Sequence, residues 1–218
     1  MPRLAELTAN CRKVRSHRPW PRAIVEDDLW LLLAARLASG QATLLGLWGE
    51  PAAVHMAILG GDPNDLVVAT NACPGGRFPS VGQVHPPAIR LERAIRDLFG
   101  LEPVGSPDSR PWLDHGEWDT CQPLAKHPKP QGAAAAPYAF LAAEGESLHE
   151  IPVGPVHAGI IEPGHFRFTA NGEAVVRLEE LLGYTHKGIE SLMRGASVCA
   201  ADQPDRPSQD LPMRRRNP

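Results

Sequence analysis

The chain has 218 residues, of which 43% are hydrophobic, and a formal net charge of −3. This composition is that of a globular chain with a core of ordinary size, and its near-neutral charge argues against a nucleic-acid binder. No apolar run approaches the roughly 20 residues that a membrane-spanning helix needs. The N-terminus also lacks the apolar stretch of a secretion signal, so we predict a cytoplasmic protein without a membrane span.

The cysteines stand far apart in the sequence, without a Cys-x-x-Cys motif or a Cys/His cluster at zinc-finger spacing. They are Cys11, Cys73, Cys121 and Cys199. We therefore predict reduced thiols and no metal site formed by this chain alone.

The first predicted element is a helix at residues 26–39, which begins with acidic residues, continues with good helix formers and is followed by Gly40. Short apolar runs separated by Gly- and Pro-containing turns follow, and they predict the strands of an antiparallel meander. These runs lie at residues 43–48, 53–59 and 66–70, with residues 78–84 as a candidate for one more strand.

A second helix is predicted at residues 87–99, because the segment starts with proline and is followed by Gly100. Its apolar residues recur at the i, i+3, i+4 spacing of a buried helical face: Ile89, Leu91, Ala94, Ile95, Leu98 and Phe99. Together, residues 20–100 predict a two-layer α+β domain, an antiparallel sheet with flanking helices.

The sequence loses its periodicity after this helix. Residues 101–118 keep several prolines and tryptophans, which indicates an extended, packed arm, and the Pro- and Ala-rich stretch that follows indicates a semi-rigid linker. We predict a first domain at residues 1–121, a linker at 122–150, a second unit at 151–195 and a disordered tail at 196–218. A hairpin and one helix are too little for an independent domain, so we also expect a truncated or frame-shifted reading frame.

The second unit contains a strong hairpin signal at Asn171-Gly172, whose residues suit a type I′ turn. A two-residue loop there predicts that Phe168 pairs with Val175 and Arg167 with Val176. A short helix is predicted at residues 185–194.

Residues 90–101 and 105–113 resemble the signature of the thirty-kilodalton subunit of respiratory complex I. The matching positions are Glu92, Arg93, Asp97, Leu98, Phe99, Gly100, Pro107, Asp108 and Arg110, whereas Ser106 stands where the family usually has His. The resemblance implies that this element docks the small domain onto a large subunit. The residues that it implies for docking, as ion-pair partners rather than catalysts, are Arg93, Asp97, Asp108 and Arg110.

A second resemblance covers the segments Gly154-Pro-Val-His157, Glu162-Pro-Gly-His165-Phe-Arg and Leu182-Gly-Tyr-Thr-His-Lys-Gly-Ile-Glu190. They are similar to the start of the complex I forty-nine-kilodalton subunit and of the large subunit of membrane-bound nickel–iron hydrogenases. The form of the second segment points to the hydrogenase-4 and formate hydrogenlyase type. This chain resembles a C-terminally truncated member of that type.

A carboxylate beside a histidine suits a proton relay, because both groups can exchange protons near neutral pH. The hydrogenase resemblance implies this role for Glu162 with His165, and the complex I resemblance implies that His157 or His165 donates a hydrogen bond to a quinone. The alternative for His165 is a structural cap beside the hairpin. The two Cys-x-x-Cys motifs that bind nickel in this family are not in the sequence.

The resemblance implies the N-terminal portion of a large subunit in a membrane-associated redox complex that couples electron transfer to protons, either an NADH:quinone oxidoreductase or a formate hydrogenlyase-like complex. The alternative is a non-catalytic docking subunit of the same complex. We expect no cofactor in this chain, although a nickel–iron centre or quinone, with iron–sulphur clusters in other subunits, is implied for the intact family. The implied partners are an iron–sulphur electron-transfer subunit and membrane-arm subunits, at the cytoplasmic side of the inner membrane.

Overall fold

The first sheet of the chain is built around the predicted meander. In this computed structural model, which describes residues 2–116, 118–130, 138–156 and 163–185, the order of its strands is β1-β2-β5-β4-β3. The strands are β1 (Arg12–Lys13), β2 (Arg22–Val25), β3 (Thr43–Glu50), β4 (Ala53–Leu59) and β5 (Leu66–Ala72). Strands β3, β4 and β5 pair antiparallel, which confirms the meander.

Strands β1 and β2 were not predicted from the sequence. Strand β2 is only four residues long and runs parallel to β5, with Arg22 beside Val68. A short strand whose partner lies far away in the sequence leaves too little local pattern to be recognised. The sheet is therefore mixed, with one parallel pair among antiparallel ones.

Two helices precede the meander. A one-turn helix, α1 (Leu4–Leu7), lies near the N-terminus, and α2 (Asp27–Ala38) is the first predicted helix. The buried residues of α2 are Trp30, Leu33, Ala34 and Leu37. They join one face of the sheet, where β4 and β5 contribute Val54, Met56, Ile58, Val67 and Ala69 to the same core. The predicted two-layer α+β arrangement is confirmed.

The candidate strand at residues 78–84 is only partly correct. Strand β6 covers Arg77–Pro79 and pairs in parallel with β7 (Glu102–Val104). The amide of Ser80 still donates to the carbonyl oxygen of Val104 in β7. From Val81 onward the backbone turns away, because the amides of Val81 and Gly82 donate hydrogen bonds to the side chain of Glu92 instead of to a neighbouring strand.

The second predicted helix is present as a 3₁₀ turn, Pro86–Ala88, that continues into α3 (Ile89–Phe99). It ends at Gly100, whose φ of +72° is the left-handed conformation that glycine adopts without strain. The predicted apolar stripe is correct for Ile95 and Leu98, which are buried, but Leu91 is 37% exposed. Charged residues share the buried face instead: Glu92, Arg93 and Asp97.

Strands β8 (Thr120–Cys121) and β9 (Lys129–Pro130) form a small antiparallel pair, and a three-stranded antiparallel sheet follows. Its order is β10 (Leu148–Val156), β11 (Gly164–Asn171) and β12 (Ala174–Leu181). The predicted hairpin is β11–β12, and β10, which the sequence did not predict as a strand, completes the sheet. Of the helix predicted at residues 185–194, only Thr185 lies within the described residues.

The predicted hairpin register is wrong. The turn residues are Gly172 and Glu173, so Asn171 pairs with Ala174 instead of belonging to the turn. A bulge after Ala170 then shifts the pairs further, and Phe168 lies opposite Leu178. A bulge adds one residue to one strand, and no local sequence rule places it here.

Within the residues that the structure describes, no helix is long and apolar enough to cross a membrane.

Candidate functional site

The buried charges of α3 hold the extended arm of residues 105–115 against the helix. The guanidinium of Arg93 donates hydrogen bonds to the carbonyl oxygens of Arg110 (2.8 Å) and Pro111 (2.8 Å) and to the carboxylate of Asp108 (3.0 Å). It also lies 5.1 Å from the ring centroid of Trp112, within the range of a cation–π contact. A planar guanidinium can make all these contacts at once because its donors diverge.

Asp97 fixes the next part of the arm. One of its carboxylate oxygens accepts hydrogen bonds from the backbone amides of Trp112 (2.7 Å), Leu113 (2.7 Å) and Asp114 (3.3 Å). Burial raises the pKa of Asp97, and the amide donors and the charge of Arg96 oppose that rise. These hydrogen bonds give the arm, whose sequence has no periodicity, a defined path over the helix.

Arg110 connects the arm to the second sheet. Its side chain binds both carboxylate oxygens of Asp108 (3.0 and 2.7 Å), and its Nη1 also donates to Glu179 of β12 at 2.5 Å. Hydrogen bonding to Asp108 is the main cause that raises the pKa of Arg110. Burial alone would raise the pKa of Asp108, but its bonds to Arg110 and the charge of Arg93 lower it on balance.

Glu179 completes the connection, since its second oxygen accepts the amide of Leu141 at 2.7 Å. We call this group of side chains the arm clasp: Arg93, Asp97, Asp108, Arg110 and Glu179. The four predicted docking residues are thus brought together, and the contacts described for them lie within this chain. The sequence did not predict Glu179 as part of the arm clasp. The alternating pattern of β12 does not distinguish a carboxylate that binds an arginine from one that is exposed to solvent.

Glu92 is the other buried charge of α3, and it holds the turn after β6. Its carboxylate accepts hydrogen bonds from the hydroxyl of Ser80 (2.7 Å) and from the amides of Val81 (2.5 Å) and Gly82 (3.1 Å). Burial raises the pKa of Glu92, and these donors oppose the rise. Sequence analysis recognised Glu92 as a motif position without predicting this contact.

A row of aromatic rings runs beside the arm clasp, with a histidine at each end. Ring centroids are 5.3 Å apart for His115 and Tyr138, 5.1 Å for Tyr138 and Phe140, and 5.5 Å for Phe140 and His165. Neither ring nitrogen of His115 has a hydrogen-bond partner in the described part of the chain. Through Phe140 the row reaches His165, the second residue of β11.

His165 is held by the neighbouring strand. Its Nδ1 lies 3.1 Å from the carbonyl oxygen of Gly154, and because a carbonyl only accepts, Nδ1 carries the proton in this contact. For Nε2 the structure records no hydrogen bond to any described residue. The predicted site residues His157 and Glu162 lie outside the described residues, so the predicted pairing of Glu162 with His165 stays a prediction.

A second polar cluster lies within the first sheet, on strands that sequence analysis did not associate with function. His55 is fully buried, with Nδ1 3.0 Å from the hydroxyl of Thr70 and Nε2 3.3 Å from a carboxylate oxygen of Glu50. Arg22 donates to the same hydroxyl of Thr70 at 2.8 Å. Burial lowers the pKa of His55 to about 4, although the Glu50 charge opposes this.

Among the described residues, no group of three His, Cys, Asp or Glu side chains is arranged to hold a metal ion. Burial raises the pKa of the Cys73 thiol to about 11, so Cys73 is a protonated thiol at neutral pH and a poor metal ligand.

A match to a known family defines the class of protein to which this part of the chain is similar. Residues 52–133 match the family model described as "Respiratory-chain NADH dehydrogenase, 30 Kd subunit". This range contains β4, β5, α3 and the arm. The chain therefore contains a complex I 30 kDa-like domain.

Particular relatives come from hydrogenase complexes. The chain is similar to hydrogenase-4 component G of Escherichia coli K12, with 39% identity over 123 residues, 53% of this chain and 22% of the relative. It is 37% identical over 123 residues to formate hydrogenlyase subunit 5 of the same organism, again covering 53% and 22%. The chain thus spans 22% of the length of these curated relatives.

A solved structure of a trypsin-resistant fragment of Nqo5 is 21% identical and covers 48% of this chain and 95% of that one, with a TM-score of 0.39.

Proposed function

We propose that this chain is part of the large subunit of a group 4 hydrogenase of the hydrogenase-4 or formate hydrogenlyase type, and that its described part is a docking element of that redox complex. The observation that carries the proposal is the arm clasp. It uses five charged side chains to fix the course of residues 105–115 and to connect them to β12. Such a rigid, non-periodic surface suits recognition of another subunit, since a pre-ordered segment loses little entropy on binding.

The partners that we propose are the iron–sulphur electron-transfer subunit and membrane-arm subunits of a complex I-like assembly, on the cytoplasmic side of the inner membrane. The names of the two relatives, hydrogenase-4 component G and formate hydrogenlyase subunit 5, support a place in an assembly of several subunits, and the choice of partners within it is part of the proposal.

Co-purification tests the docking function. Asp97→Ala removes the acceptor of three arm amides, so the arm loses its fixed path, and we expect recovery of a co-expressed iron–sulphur subunit to fall by about tenfold or more. Asp28→Asn is the matched control, because Asp28 is an exposed carboxylate of α2 that is not part of the clasp. Suppose that Asp97→Ala makes the arm sensitive to protease but leaves recovery of the iron–sulphur subunit at the wild-type level. That result would count against docking through the arm.

The second candidate is the proton relay through Glu162 and His165, in a complex that holds either a nickel–iron centre or a quinone. The geometry of His165 favours it, because Nδ1 is held by Gly154 while Nε2 has no partner among the described residues. A histidine fixed through one nitrogen can exchange a proton through the other. In the quinone version, His157 donates to the headgroup, or His165 donates through Nε2 in its imidazolium form, in which both ring nitrogens carry a proton.

Turnover of an intact complex tests the relay. Glu162→Gln keeps the size of the side chain but cannot titrate, so proton-coupled turnover should fall by roughly 10²-fold while the complex still assembles. If His165 is only a structural cap, Glu162→Gln should keep near-normal turnover and His165→Ala should reduce assembly. That pair of results would exclude the relay and leave the docking proposal untouched.

A further inference from the structure

The segment of residues 12–22, which comprises β1, the loop of residues 14–21 and the first residue of β2, carries the most concentrated positive charge in the described chain. Between residues 12 and 22 the sequence has five Lys and Arg residues, and no Asp or Glu lies between residues 7 and 25. This concentration contrasts with the net charge of −3 for the whole chain. The cations are therefore gathered at one edge of the first sheet, where β1 is the outermost strand.

Three of these cations have no counter-charge in the part of the chain that the structure describes. Arg12, Arg15 and Arg18 are exposed and form no ion pair with any described residue. The other two are engaged, since Lys13 donates to the carbonyl oxygen of Thr8 at 2.6 Å and Arg22 binds Thr70. The unpaired arginines are free to bind an anionic partner.

The same loop exposes a tryptophan. Trp20 lies between Pro19 and Pro21 and is 45% exposed. A large ring with one polar N–H, close in the sequence to several arginines, is the combination found at the level of lipid headgroups, where the ring enters the interface and the cations meet phosphate.

The backbone of the loop is held in place, so these side chains are presented by a built structure. The amide of Val14 donates to the carbonyl oxygen of Arg22 at 2.9 Å, and the ring Nδ1 of His17 donates to that of Trp20 at 2.8 Å. The carbonyl oxygen of Pro21 accepts the amide of Val68 in β5 at 2.9 Å. These bonds anchor both ends of the loop to the sheet.

We propose that this loop binds the surface of a membrane that contains anionic phospholipid, with Trp20 in the headgroup region and Arg12, Arg15 and Arg18 on the phosphates. Charge complementarity and the exposed tryptophan favour a membrane over nucleic acid. A long polyanion would run beyond this small basic patch onto a chain that is acidic overall. The proposal goes beyond the docking function and does not depend on it.

Vesicle flotation of the full purified chain tests the proposal without any partner subunit. Wild-type protein should float with vesicles of equimolar phosphatidylglycerol and phosphatidylcholine, and not with phosphatidylcholine alone. The variant Arg12→Gln/Arg15→Gln/Arg18→Gln should bind the anionic vesicles about 100-fold more weakly, because each cation near an anionic surface contributes about fivefold. Trp20→Ala should also weaken binding.

The matched control removes three exposed cations elsewhere, in the variant Arg77→Gln/Lys126→Gln/Lys129→Gln. It should bind the anionic vesicles as the wild type does. A lysine variant, Arg12→Lys/Arg15→Lys/Arg18→Lys, should also keep binding, because it retains the charge, and so it separates loss of charge from loss of folding.

Three results would each overturn the proposal. The first is no flotation of the wild type with anionic vesicles. The second is an equal loss of binding in the loop variant and in the matched control, which would mean general electrostatic attraction. The third is duplex DNA binding as tight as vesicle binding and abolished by the same loop substitutions. Failure here would leave the co-purification with an iron–sulphur subunit unaffected.

Discussion

Glu92 is a fully buried carboxylate whose partners are three donors of one backbone turn. A buried donor left without an acceptor costs about 1–3 kcal/mol, so the side chain matters more for what it satisfies than for its charge. The rise in the pKa of Glu92 through burial means that folding disfavours its ionised form. Its contribution to stability is therefore largest at low pH and decreases as pH rises through the folded pKa.

We expect Glu92→Ala to reduce the free energy of unfolding by about 3 kcal/mol, because two buried amides lose their acceptor. Glu92→Gln should cost less, since its amide oxygen still accepts. Because glutamine does not ionise, its stability should also decline less than that of the wild type as pH rises from 4 to 8. Urea titrations at several pH values measure both effects, and equal losses for the two variants would contradict this account.

The stability that His55 provides should depend on pH in the opposite direction. Burial lowers its pKa to about 4, against an unfolded value of 6.5, so the unfolded chain takes up a proton first as pH falls. The stability that neutral His55 provides is complete above pH 6.5 and is lost between that value and about 4. The charged groups facing its ring are Glu50 of β3, which favours the proton, and Arg22 of β2 and His17, which oppose it.

The change from pH 7.5 to pH 5 should reduce the free energy of unfolding by about 2 kcal/mol through His55. His55→Gln removes the titration, so its stability should fall less over the same range even if it is lower at pH 7.5. The measurement is the difference between the two pH values in urea unfolding for each protein. An identical pH dependence in both would show that His55 does not carry the effect.

At the scale of elements, α3 holds two other segments of the chain through buried charged side chains. One side of the helix holds the turn after β6 through Glu92, and the other holds the arm through Arg93 and Asp97. The arm in turn lies against the end of β12. A Cβ added at Gly183, just beyond that strand, would lie 2.1 Å from the carbonyl oxygen of Leu113.

Gly183→Ala should therefore separate the end of β12 from the arm. We expect a loss of about 2–4 kcal/mol, from backbone strain at its φ of +90° and from the clash with backbone that cannot easily move. Gly172→Ala is the matched control, since Gly172 also has a positive φ, +59°, but open space around its Cα. Thermal unfolding of both variants separates strain from clash, and equal losses would mean that the contact with Leu113 contributes nothing.

At the scale of the whole described chain, the side chain of Arg110 joins the arm to the second sheet. Its contacts reach Asp108, the carbonyl oxygen of Ala139 and Glu179. Charge-assisted bonds of this kind contribute about 1.5–3 kcal/mol each. The proposed linker of residues 122–150 lies between the parts that Arg110 connects, so its exposure to protease reports on the clasp.

Arg110→Ala should increase the rate of limited proteolysis within residues 122–150 by about tenfold, because loss of a charge-assisted bond makes local opening more frequent. Arg110→Lys should give an intermediate rate, since lysine keeps the charge but cannot form the two-pronged bond to Asp108. Fragments identified by mass spectrometry locate the cuts. Wild-type rates in Arg110→Ala would mean that other contacts hold the second sheet.

The sequence by itself determined the elements whose signals are local. Helix α2, the meander β3–β5, α3 with its end at Gly100, and the existence of the β11–β12 hairpin all follow from periodicity, helix stops and turn residues within a few positions. The motif around Arg93, Asp97, Asp108 and Arg110 also identified a cluster of charges that the structure brings together.

Only the tertiary structure decided the features that depend on distant partners. Strand β2 exists because β5 is beside it, the hairpin register depends on a bulge, and β10 becomes a strand only by pairing with β11. Likewise, the burial of Glu92 and His55 depends on how the elements pack around them, and the bond from Arg110 to Glu179 joins residues 69 positions apart. A residue's type limits the contacts that it can make, but its burial and its partners are set by chain segments that folding brings near it.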